Sequence, residues 1–369
     1  MKKILLFAHI NKGYPQLLRK MNAKLNALRH FHPNTQCCIV GDDNPDALKN
    51  FDFTYINAVG DDACHVCCNT IARAVRPDII YYRYPLGHIA LLDLTENFPV
   101  IFEHNTIEEA EMTGESLDAD KKLGPKALAQ AAGIVCVTPE IARYERGRSR
   151  QDLPVFILPN CLAEIPDNPI RRPPLASDGE LHMVMAARFN KWHGADRLIR
   201  GIARDARKDR YVLHLVGDGS ALPLYKQLIS KYGLEKHVLL HGWLESDILY
   251  TLYNTCHVAA GTLAIHRNKG MTECTSIKLR EYAAQGLPFI YLGSDPDFPA
   301  SLPFVLVVPD NERAVDMEEI DQFARKCLSM PALCLAMRAY AKERLTYKAR
   351  AEAWVKFLLT AALKHKQSH

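Results

Sequence analysis

The sequence lacks any apolar run that approaches the ~18 residues needed to cross a bilayer. Its excess of positive charge is also small, because 46 lysines and arginines against 42 acidic residues leave a net charge of +4. Without interleaved aromatic and basic side chains, this charge is too mild to indicate nucleic-acid binding. Internal repeats and low-complexity tracts are absent as well. The sequence therefore argues against a membrane-spanning protein, a nucleic-acid-binding protein and a solenoid.

Two binding motifs begin in the sequence but remain incomplete. Gly217 and Gly219 start a dinucleotide-binding fingerprint, but Leu222 stands where the third glycine should be. Cys64 and Cys67 form a Cys-x-x-Cys, yet no second pair and no spaced histidine pair completes a zinc site. The sequence therefore disfavours a nicotinamide dehydrogenase, and we predict neither a metal site nor a cofactor.

The eleven cysteines are scattered without the rhythm of a secreted disulfide scaffold. We interpret them as reduced thiols of a cytoplasmic protein. Residues 62–75 have a helical pattern, so Cys64, Cys67 and Cys68 are expected in a hydrophobic core and not at a metal or redox site.

Apolar strand-like runs alternate with helix-length segments, which is typical of βαβ units with buried parallel strands. With 369 residues, 48% of them hydrophobic and 24% charged, the chain is long enough for two such cores. The first run follows Lys2 and Lys3 but ends at His9 without a cleavage site, so we expect a buried strand and not a signal peptide. Strands are predicted at residues 4–9, 37–40, 79–82, 100–103 and 134–137, and again at residues 183–186, 212–216, 238–241, 258–260, 289–292 and 304–308.

A polar, proline-rich stretch interrupts this alternation and predicts a domain boundary. We expect an N-terminal Rossmann-like domain over residues 1–165, a linker over 166–179 and a C-terminal Rossmann-like domain over 180–346. Residues 347–369 are predicted to form a closing helix.

The most informative feature is a pair of carboxylates, Glu273 and Glu281, eight positions apart across the start of a predicted short helix. Thr275 or Ser276 can act as the N-cap, and Lys278 adds a positive charge in the first turn. The unpaired N–H groups and positive dipole end of such a helix suit an anionic diphosphate. Carboxylates only accept hydrogen bonds, so we expect Glu281 to hold ribose hydroxyls and Glu273 to hold hydroxyls of a donor sugar.

This segment resembles the Glu-x7-Glu signature of retaining GT-B glycosyltransferases of family 4, which use nucleotide-diphosphate sugars. Further matches to the family, in order and approximate spacing, lie at residues 158–160, 187–199, 215–220 and 240–244. The resemblance is dense over residues 158–292 and thinner before them. It implies an α/β protein of GT-B architecture, with two Rossmann-like parallel-sheet domains facing across a cleft and a C-terminal helix that crosses back onto the first domain.

The resemblance implies that the second domain binds the donor nucleotide. Arg188 follows an apolar run at the carboxyl end of a predicted parallel strand, and its guanidinium suits two phosphate oxygens. Where the family commonly has a lysine, this chain has His193, so the second phosphate cation is either this histidine or Lys191. For Trp243 we favour a buried tryptophan in a strand-to-helix turn over a contact with the base. The expected donor-binding residues are Arg188, Lys191, His193, Gly217, Gly242, Trp243, Leu244, Glu273, Cys274, Thr275, Ser276, Lys278 and Glu281.

The resemblance implies that the acceptor binds the first domain, where loops at the carboxyl ends of the strands would line the crevice. Within that domain, His104 resembles the family histidine near the reacting sugar; the alternative is a loop histidine satisfied by backbone groups. The expected acceptor-side residues are Asn11, Gly13, Tyr14, Arg83 and His104.

The implied reaction is transfer of a sugar with retention at the anomeric carbon. Arg188, Lys278 and the helix N-terminus would stabilise the leaving diphosphate, and Glu273 and His104 complete the expected catalytic residues. No metal is expected to be required, and UDP is the preferred carrier because it is common among relatives. The expected partners are the nucleotide sugar and a glycan or lipid-linked acceptor in polysaccharide biosynthesis.

Two alternatives to this mechanism use other features of the second domain. Asp295 and Asp297 could hold a metal ion as an Asp-x-Asp motif does, but Pro296 suggests a turn there. With His193 in place of a lysine, the chain could also be a non-catalytic nucleotide-sugar-binding subunit that supports a partner glycosyltransferase.

Residues 17–32 form a predicted basic helix that carries Arg19, Lys20, Lys24 and Arg29 among apolar residues. Such a helix could rest on anionic lipid, although a solvated, half-buried helix explains the same pattern. We predict a cytoplasmic protein, with peripheral contact to the inner face of the membrane as a further hypothesis.

Overall fold

The computed structural model describes residues 1–10, 15–42, 51–112 and 114–368. The chain divides into two compact units: the first comprises Met1–Ala163 and Thr346–His369, and the second is Glu164–Leu345. None of the helices in the described part of the chain combines the length and the apolar character that a membrane span requires.

The first unit is built on a seven-stranded parallel sheet in the order β3-β2-β1-β4-β5-β6-β7. Its strands are β1 (Ile4–Ile10), β2 (Thr35–Gly41), β3 (Thr54–Asn57), β4 (Ile79–Arg83), β5 (Val100–His104), β6 (Gly133–Cys136) and β7 (Val155–Ile157). Its helices are α1 (Pro15–Phe31), α2 (Asp61–Val75), α3 (Ile89–Asn97), α4 (Glu108–Glu111), α5 (Glu115–Gln130), α6 (Pro139–Arg148) and, at the C-terminus, α13 (Tyr347–Ser368).

Helices cover both faces of this sheet because successive side chains of a strand point to opposite sides. Leu6 of β1 belongs to the core beneath α1 and α13, whereas the next residue, Phe7, belongs to the core beneath α2, α3, α5 and α6. Trp354 of α13 is fully buried, and its ring lies 5.1 Å from that of Tyr81 in β4. Cys64 and Cys68 are buried in the second of these cores, so the prediction of core cysteines is confirmed for both.

The second unit has a six-stranded parallel sheet in the order β10-β9-β8-β11-β12-β13. Its strands are β8 (Leu181–Ala186), β9 (Tyr211–Val216), β10 (Val238–Gly242), β11 (Val258–Ala260), β12 (Phe289–Tyr291) and β13 (Val305–Val307). Its helices are α7 (Ala195–Arg204), α8 (Leu222–Tyr232), α9 (Ser246–Tyr253), α10 (Ile277–Ala284), α11 (Met317–Leu328) and α12 (Leu333–Arg344).

All of the strands predicted from the sequence are present, with ends that differ by at most two residues. The sequence analysis missed β3 and β7, which have four and three residues and are the two edge strands of the first sheet. Both are only partly buried. β3 reads Thr-Tyr-Ile-Asn and lacks the continuous apolar run that marks a central strand, whereas β7 is apolar but only three residues long.

The stretch predicted as a linker, residues 166–179, lies within the second unit. Arg172 holds it there, because its guanidinium donates hydrogen bonds to the carbonyls of Tyr253, Cys256, Gln285 and Gly286. This one side chain satisfies carbonyls that follow the ends of α9 and α10, where helices leave such groups without an intrahelical partner.

Candidate functional site

The short helix predicted between the two carboxylates is α10, which covers Ile277–Ala284. Ser276 is its N-cap, and the side-chain oxygen of Ser276 accepts a hydrogen bond from the N–H of Lys278 at 3.3 Å. Gly286 ends the segment with a φ of +61°, a conformation that favours glycine. The other N–H groups of the first turn have no partner within the helix.

Two buried contacts fix α10 against the sheet. The hydroxyl of Tyr282 accepts from the N–H of Ala186 at 3.2 Å and donates to the carbonyl of Ala260 at 3.3 Å. Ala186 and Ala260 are the last residues of β8 and β11. The helix is thereby tied to the carboxyl ends of two neighbouring strands, which is the edge where open parallel sheets bind ligands.

The charged residues of α10 remain partly accessible. Lys278 Nζ donates to Glu281 Oε2 at 2.9 Å, and the two side chains are 31% and 21% exposed. Glu273 precedes the helix and is half-buried. Its backbone forms an isolated parallel β-bridge with Ser294, just after β12. The N–H of Cys274 donates to the carbonyl of Ser294 at 3.0 Å, so this loop is held across the end of the sheet.

Cys274 and Thr275 complete the loop, and their environment indicates a structural role for both. Thr275 is 4% exposed, and burial raises the pKa of the Cys274 thiol to about 11. The thiol therefore stays protonated near neutral pH and is not a reactive thiolate.

Arg188 lies in the loop that leaves β8, and its side chain is exposed. Within the described part of the chain, its guanidinium makes no hydrogen bond and no ion pair. The loop itself is ordered by backbone bonds, from Ala187 N–H to Val216 O at 2.9 Å and from Phe189 N–H to Asp218 O at 2.7 Å. A guanidinium on a fixed loop without a protein partner can bind an anionic ligand.

His193 and Lys191 were the two alternatives for the second phosphate cation. His193 is half-buried, and its Nδ1 accepts a hydrogen bond from the N–H of Asn190 at 3.0 Å within a capping box. Burial lowers the pKa of His193 to about 4, so this ring is neutral near pH 7. Lys191 is exposed and does not share these constraints.

The glycine of the β9 loop is required by a close approach of two backbones. Gly217 has a φ of +121°, and a Cβ at this position would lie 2.0 Å from the carbonyl oxygen of Ala187. Its N–H donates to the carbonyl of Gly242 at 2.7 Å, which joins the loops after β9 and β10. Gly217 thus brings three successive strand ends into contact.

Trp243 is 70% exposed, so the prediction that it is buried in a strand-to-helix turn is wrong. It follows Gly242, which has a φ of +65° and lies at the end of β10, the edge strand of this sheet. Among the described residues no strand pairs with that side of β10, and the indole is exposed. Leu244 is half-buried beside it.

All of the predicted donor-binding residues in the second unit lie at or after the carboxyl ends of β8, β9 and β10 or in the segment that leads into and includes α10. Residues 167–296, which contain this whole set, match the family model described as glycosyl transferases group 1. This match lies entirely within the second unit.

Solved structures with the same fold cover nearly the whole chain. The lipopolysaccharide outer core galactosyltransferase WaaB in its apo form aligns with a TM-score of 0.65 and 15% identity over 99% of both chains. A glycosyltransferase from Rickettsia africae aligns with a TM-score of 0.69 and 13% identity over 98% of both chains. HepE from Anabaena in complex with UDP-glucose aligns with a TM-score of 0.67 and 15% identity over 98% of this chain and 100% of that chain.

A comparison with curated proteins finds no significant sequence match. At such low identities the structural likeness shows the fold alone, and it confirms the predicted α/β class with two Rossmann-like domains of the GT-B type. Together with the match to the family model, the fold supports a GT-B glycosyltransferase. The arrangement of the two domains across a cleft stays a prediction.

In the first unit, His104 is the last residue of β5 and is completely buried. Its Nδ1 lies 3.4 Å from Glu108 Oε1 and 3.2 Å from Glu145 Oε1. Burial disfavours the charged ring, but Glu145 and Glu108 more than offset this effect and raise the pKa of His104 to about 9. The alternative of a loop histidine satisfied by backbone is therefore wrong, because carboxylates hold the ring. A role beside the reacting sugar stays a prediction.

A buried ion network continues from His104 towards α5. Arg148 donates to Glu145 Oε2 through Nε and to Asp120 Oδ2 through Nη1, both at 2.6 Å. Asp120 also accepts from the hydroxyl of Tyr84 at 2.5 Å. Gly124 makes room for this contact, since a Cβ there would lie 2.7 Å from Asp120 Oδ1. Each charge of the network thus has an opposite charge beside it.

In the described part of the chain, His104, Glu108 and Glu145 also form the group that could hold a metal ion, with ligand atoms all within 4.8 Å of one another. Arg148 already neutralises Glu145, and His104 is itself cationic, so we assign no metal to this group. In the second unit, the buried guanidinium of Arg280 pairs with both Asp295 and Asp297. That pairing occupies the carboxylates of the Asp-x-Asp alternative.

Of the predicted acceptor-side residues, Asn11, Gly13 and Tyr14 lie outside the described residues. Arg83 ends β4 and is half-buried. It is close enough for its charge to act on Lys20 and Lys24, two residues that the sequence analysis did not assign to the site. The only signal for them was the four-residue spacing of the two lysines, which places both on one side of α1.

These contacts also change the interpretation of α1 as a basic surface helix. Lys24 is 1% exposed and forms an ion pair with Glu103, and Arg29 pairs with Asp52. Lys20 donates to Asn105 and Asn160, so of the four basic side chains only Arg19 is fully exposed. The helix therefore offers little free positive charge to a lipid surface.

Proposed function

We propose that this chain is a retaining glycosyltransferase of family 4 that transfers a sugar from a nucleotide-diphosphate sugar, preferably UDP-linked, to a glycan or lipid-linked acceptor in polysaccharide biosynthesis. The observation that carries this proposal is the set of partly exposed charges around the N-terminus of α10. Glu273, Lys278 and Glu281 lie there, and α10 is tied to β8, the strand that Arg188 follows.

The charges match the parts of such a donor. The first-turn N–H groups of α10, Lys278 and Arg188 are suited to the diphosphate, whose negative charge increases as the sugar leaves. Lys191 is the proposed second phosphate cation because His193 is neutral. Glu281 accepts hydrogen bonds from ribose hydroxyls, and Glu273 accepts them from the donor sugar.

Relatives of the same fold support the choice of donor. HepE was solved with UDP-glucose, and WaaB is named as a galactosyltransferase. We propose a UDP-hexose on this basis. Retention then follows from attack on the face that the phosphate leaves, with a departing phosphate oxygen taking the acceptor proton. We propose that the reaction requires no metal and takes place in the cytoplasm.

The test is binding of UDP, measured as protection against thermal unfolding, in the wild type and in Glu281→Ala. The matched control is Glu235→Ala, because Glu235 is an exposed glutamate near the start of β10 and far from its carboxyl end. Loss of protection in Glu281→Ala alone would support the ribose assignment. Full protection in Glu281→Ala, or no protection of the wild type by any nucleoside diphosphate, would contradict the proposal.

The neutral state of His193 favours one alternative, a nucleotide-sugar-binding subunit without turnover, since it leaves one phosphate cation fewer than the family pattern contains. The two functions differ in a single measurement. An enzyme releases UDP from UDP-sugar with the purified chain alone, whereas a binding subunit is protected by UDP and releases none without a partner.

A further inference from the structure

Three cations come together at the carboxyl edge of the first sheet, and we call Lys20, Lys24, Arg83, Glu103 and Asn105 the basic cluster. Lys24 forms a buried ion pair with Glu103, and Lys20 Nζ donates to Asn105 Oδ1 at 2.7 Å. Asn105 in turn donates to Glu103 Oε1 at 3.1 Å. Arg83 is the register partner of Glu103 across β4 and β5. Lys20, Lys24, Glu103 and Asn105 are therefore ordered by hydrogen bonds among themselves, and Arg83 is placed beside them by its strand register.

The basic cluster has more positive charge than the described protein neutralises. Glu103 is the one carboxylate within the described residues that pairs with any of its cations, and it pairs with Lys24. Lys20 donates only to neutral amide oxygens, Asn105 Oδ1 and Asn160 Oδ1, and Arg83 has no ion pair or hydrogen bond in the described part of the chain. Three cations against one anion leave two positive charges in a partly buried setting, which is unfavourable unless an anion is supplied.

The excess of positive charge, together with burial, shifts the pKa values of Lys20 and Glu103. Burial and the neighbouring charge of Lys24, partly offset by Glu103, lower the pKa of Lys20 to about 7, and Arg83 contributes in the same direction. Burial opposes ionisation of Glu103, but Lys24 and Lys20 outweigh it and hold its pKa at about 2. The carboxylate thus stays charged, and Lys20 is the group that changes its charge near neutral pH.

The ion network of His104 and Arg148, in the same unit, differs from the basic cluster in how its charges are paired. There Arg148 lies between Glu145 and Asp120, and His104 lies beside Glu145 and Glu108, so cations and anions alternate. Every cation of that network lies beside a carboxylate. In the basic cluster Lys20 and Arg83 have no ion pair within the described residues, although the cluster lies at the strand edge where loops of parallel sheets contact ligands.

We propose that Lys20 and Arg83 form a phosphate-binding subsite for the acceptor, so that the acceptor of this enzyme carries a phosphate or diphosphate group. This rests on the proposed glycosyl transfer. A phosphate carries nearly two negative charges and matches the two unneutralised cations. The guanidinium of Arg83 suits two of its oxygens, and Lys20 can direct its third N–H to another. Lys24 and Glu103 position the cluster and do not contact the ligand.

Binding at this subsite is coupled to a proton. A phosphate raises the pKa of Lys20, so its binding takes up a proton when Lys20 is partly neutral. The groups that act on Lys20 are Lys24 from α1, Arg83 from β4, Glu103 from β5 and Cys161 after β7. Affinity for phosphate should therefore fall as the pH rises above 7.

The experiment is titration calorimetry with inorganic pyrophosphate in the presence of saturating UDP, which occupies the proposed donor site. We expect the wild type and the matched control Arg19→Gln to bind pyrophosphate, since Arg19 is exposed on the same helix. Arg83→Gln and Lys20→Gln should bind it about tenfold more weakly or worse, because each loses a charge-assisted hydrogen bond. Repeating the titration at pH 7.5 in two buffers of different ionisation enthalpy should show proton uptake in the wild type and none in Lys20→Gln.

Three other results would contradict the proposed subsite, and a fourth would contradict the proposed function. Equal pyrophosphate affinity in wild type and Arg83→Gln, or no binding to the wild type, overturns it. A loss of UDP affinity in Arg83→Gln assigns the cations to the donor diphosphate and overturns the acceptor assignment. If the wild type fails to bind UDP at all, the proposed function fails instead. In that case, pyrophosphate affinity is measured without UDP in Arg83→Gln and in Arg188→Gln. A loss of affinity in Arg83→Gln but not in Arg188→Gln would still show that this subsite exists.

Discussion

The backbone N–H of Asn190 donates to Nδ1 of His193 at 3.0 Å, and this bond occupies a ring nitrogen that must be protonated for the imidazole to carry charge. Burial works in the same direction and lowers the pKa of His193 to about 4. In this loop His193 therefore shapes the turn, and the charge available to a phosphate comes from its neighbour Lys191.

This division of roles predicts opposite effects for two substitutions. Lys191→Gln should weaken UDP binding roughly three- to tenfold, because it removes an exposed cation, and should leave stability nearly unchanged. His193→Gln should leave UDP affinity within about twofold but lower the free energy of unfolding by about 1 kcal/mol through the lost capping box. Calorimetric UDP titration and urea unfolding of both variants would check this. The reverse pattern would make His193 the phosphate ligand.

Gly217 provides a second test, on the loops that carry the proposed donor site. Gly217→Ala places a Cβ 2.0 Å from the carbonyl oxygen of Ala187 in a backbone with a φ of +121°, so the strand ends must separate. We expect a loss of about 3 kcal/mol or more in urea unfolding. The control is Gly233→Ala, where φ is +63° and no atom lies within 4 Å of the added Cβ, with an expected loss of about 1 kcal/mol. Equal losses would show that backbone conformation alone determines the cost.

The elements around these loops could be predicted because their signals are local. The apolar run before Arg188 and the Ser276 cap of α10 are contained within a few residues, and both features are present as expected. The pairing of Lys24 with Glu103 spans 79 positions, and no sequence pattern relates them. For this reason the basic residues of α1 were interpreted as a surface feature, although two of them belong to a buried cluster. The exposure of Trp243 was missed for a similar reason, since it depends on β10 being an edge strand.

The ion network of His104 predicts a specific dependence of stability on pH. The pKa of His104 is about 9 in the folded protein, above its ordinary value of 6.5, so the folded state binds the proton more tightly. The stabilisation is fully present below pH 6.5 and is lost as the pH rises through 9, with a size on the order of 3 kcal/mol.

Lys20 titrates in the same range with the opposite sign, because its pKa is lowered to about 7 and stability from this group rises above that pH. The measurement is therefore the difference in free energy of unfolding between wild type and His104→Asn from pH 6 to pH 10, in which the contribution of Lys20 cancels. We expect this difference to shrink between pH 6.5 and 9. A difference that is independent of pH would mean that His104 is neutral in the folded protein.

Trp243 offers an optical test of whether the base lies near the end of β10. Trp243 is 70% exposed, Trp192 is half-buried and Trp354 is fully buried, so quenching by a ligand at the β10 loop should come mainly from Trp243. We expect UDP to quench tryptophan fluorescence in the wild type and Trp243→Phe to abolish most of the quenching. Trp243→Ala should weaken UDP binding by about 1 kcal/mol or more if the base stacks on the indole, while changing the free energy of unfolding by less than about 0.5 kcal/mol. Trp192→Phe is the control, and quenching that disappears in this variant instead would move the base from the β10 loop to the turn after β8.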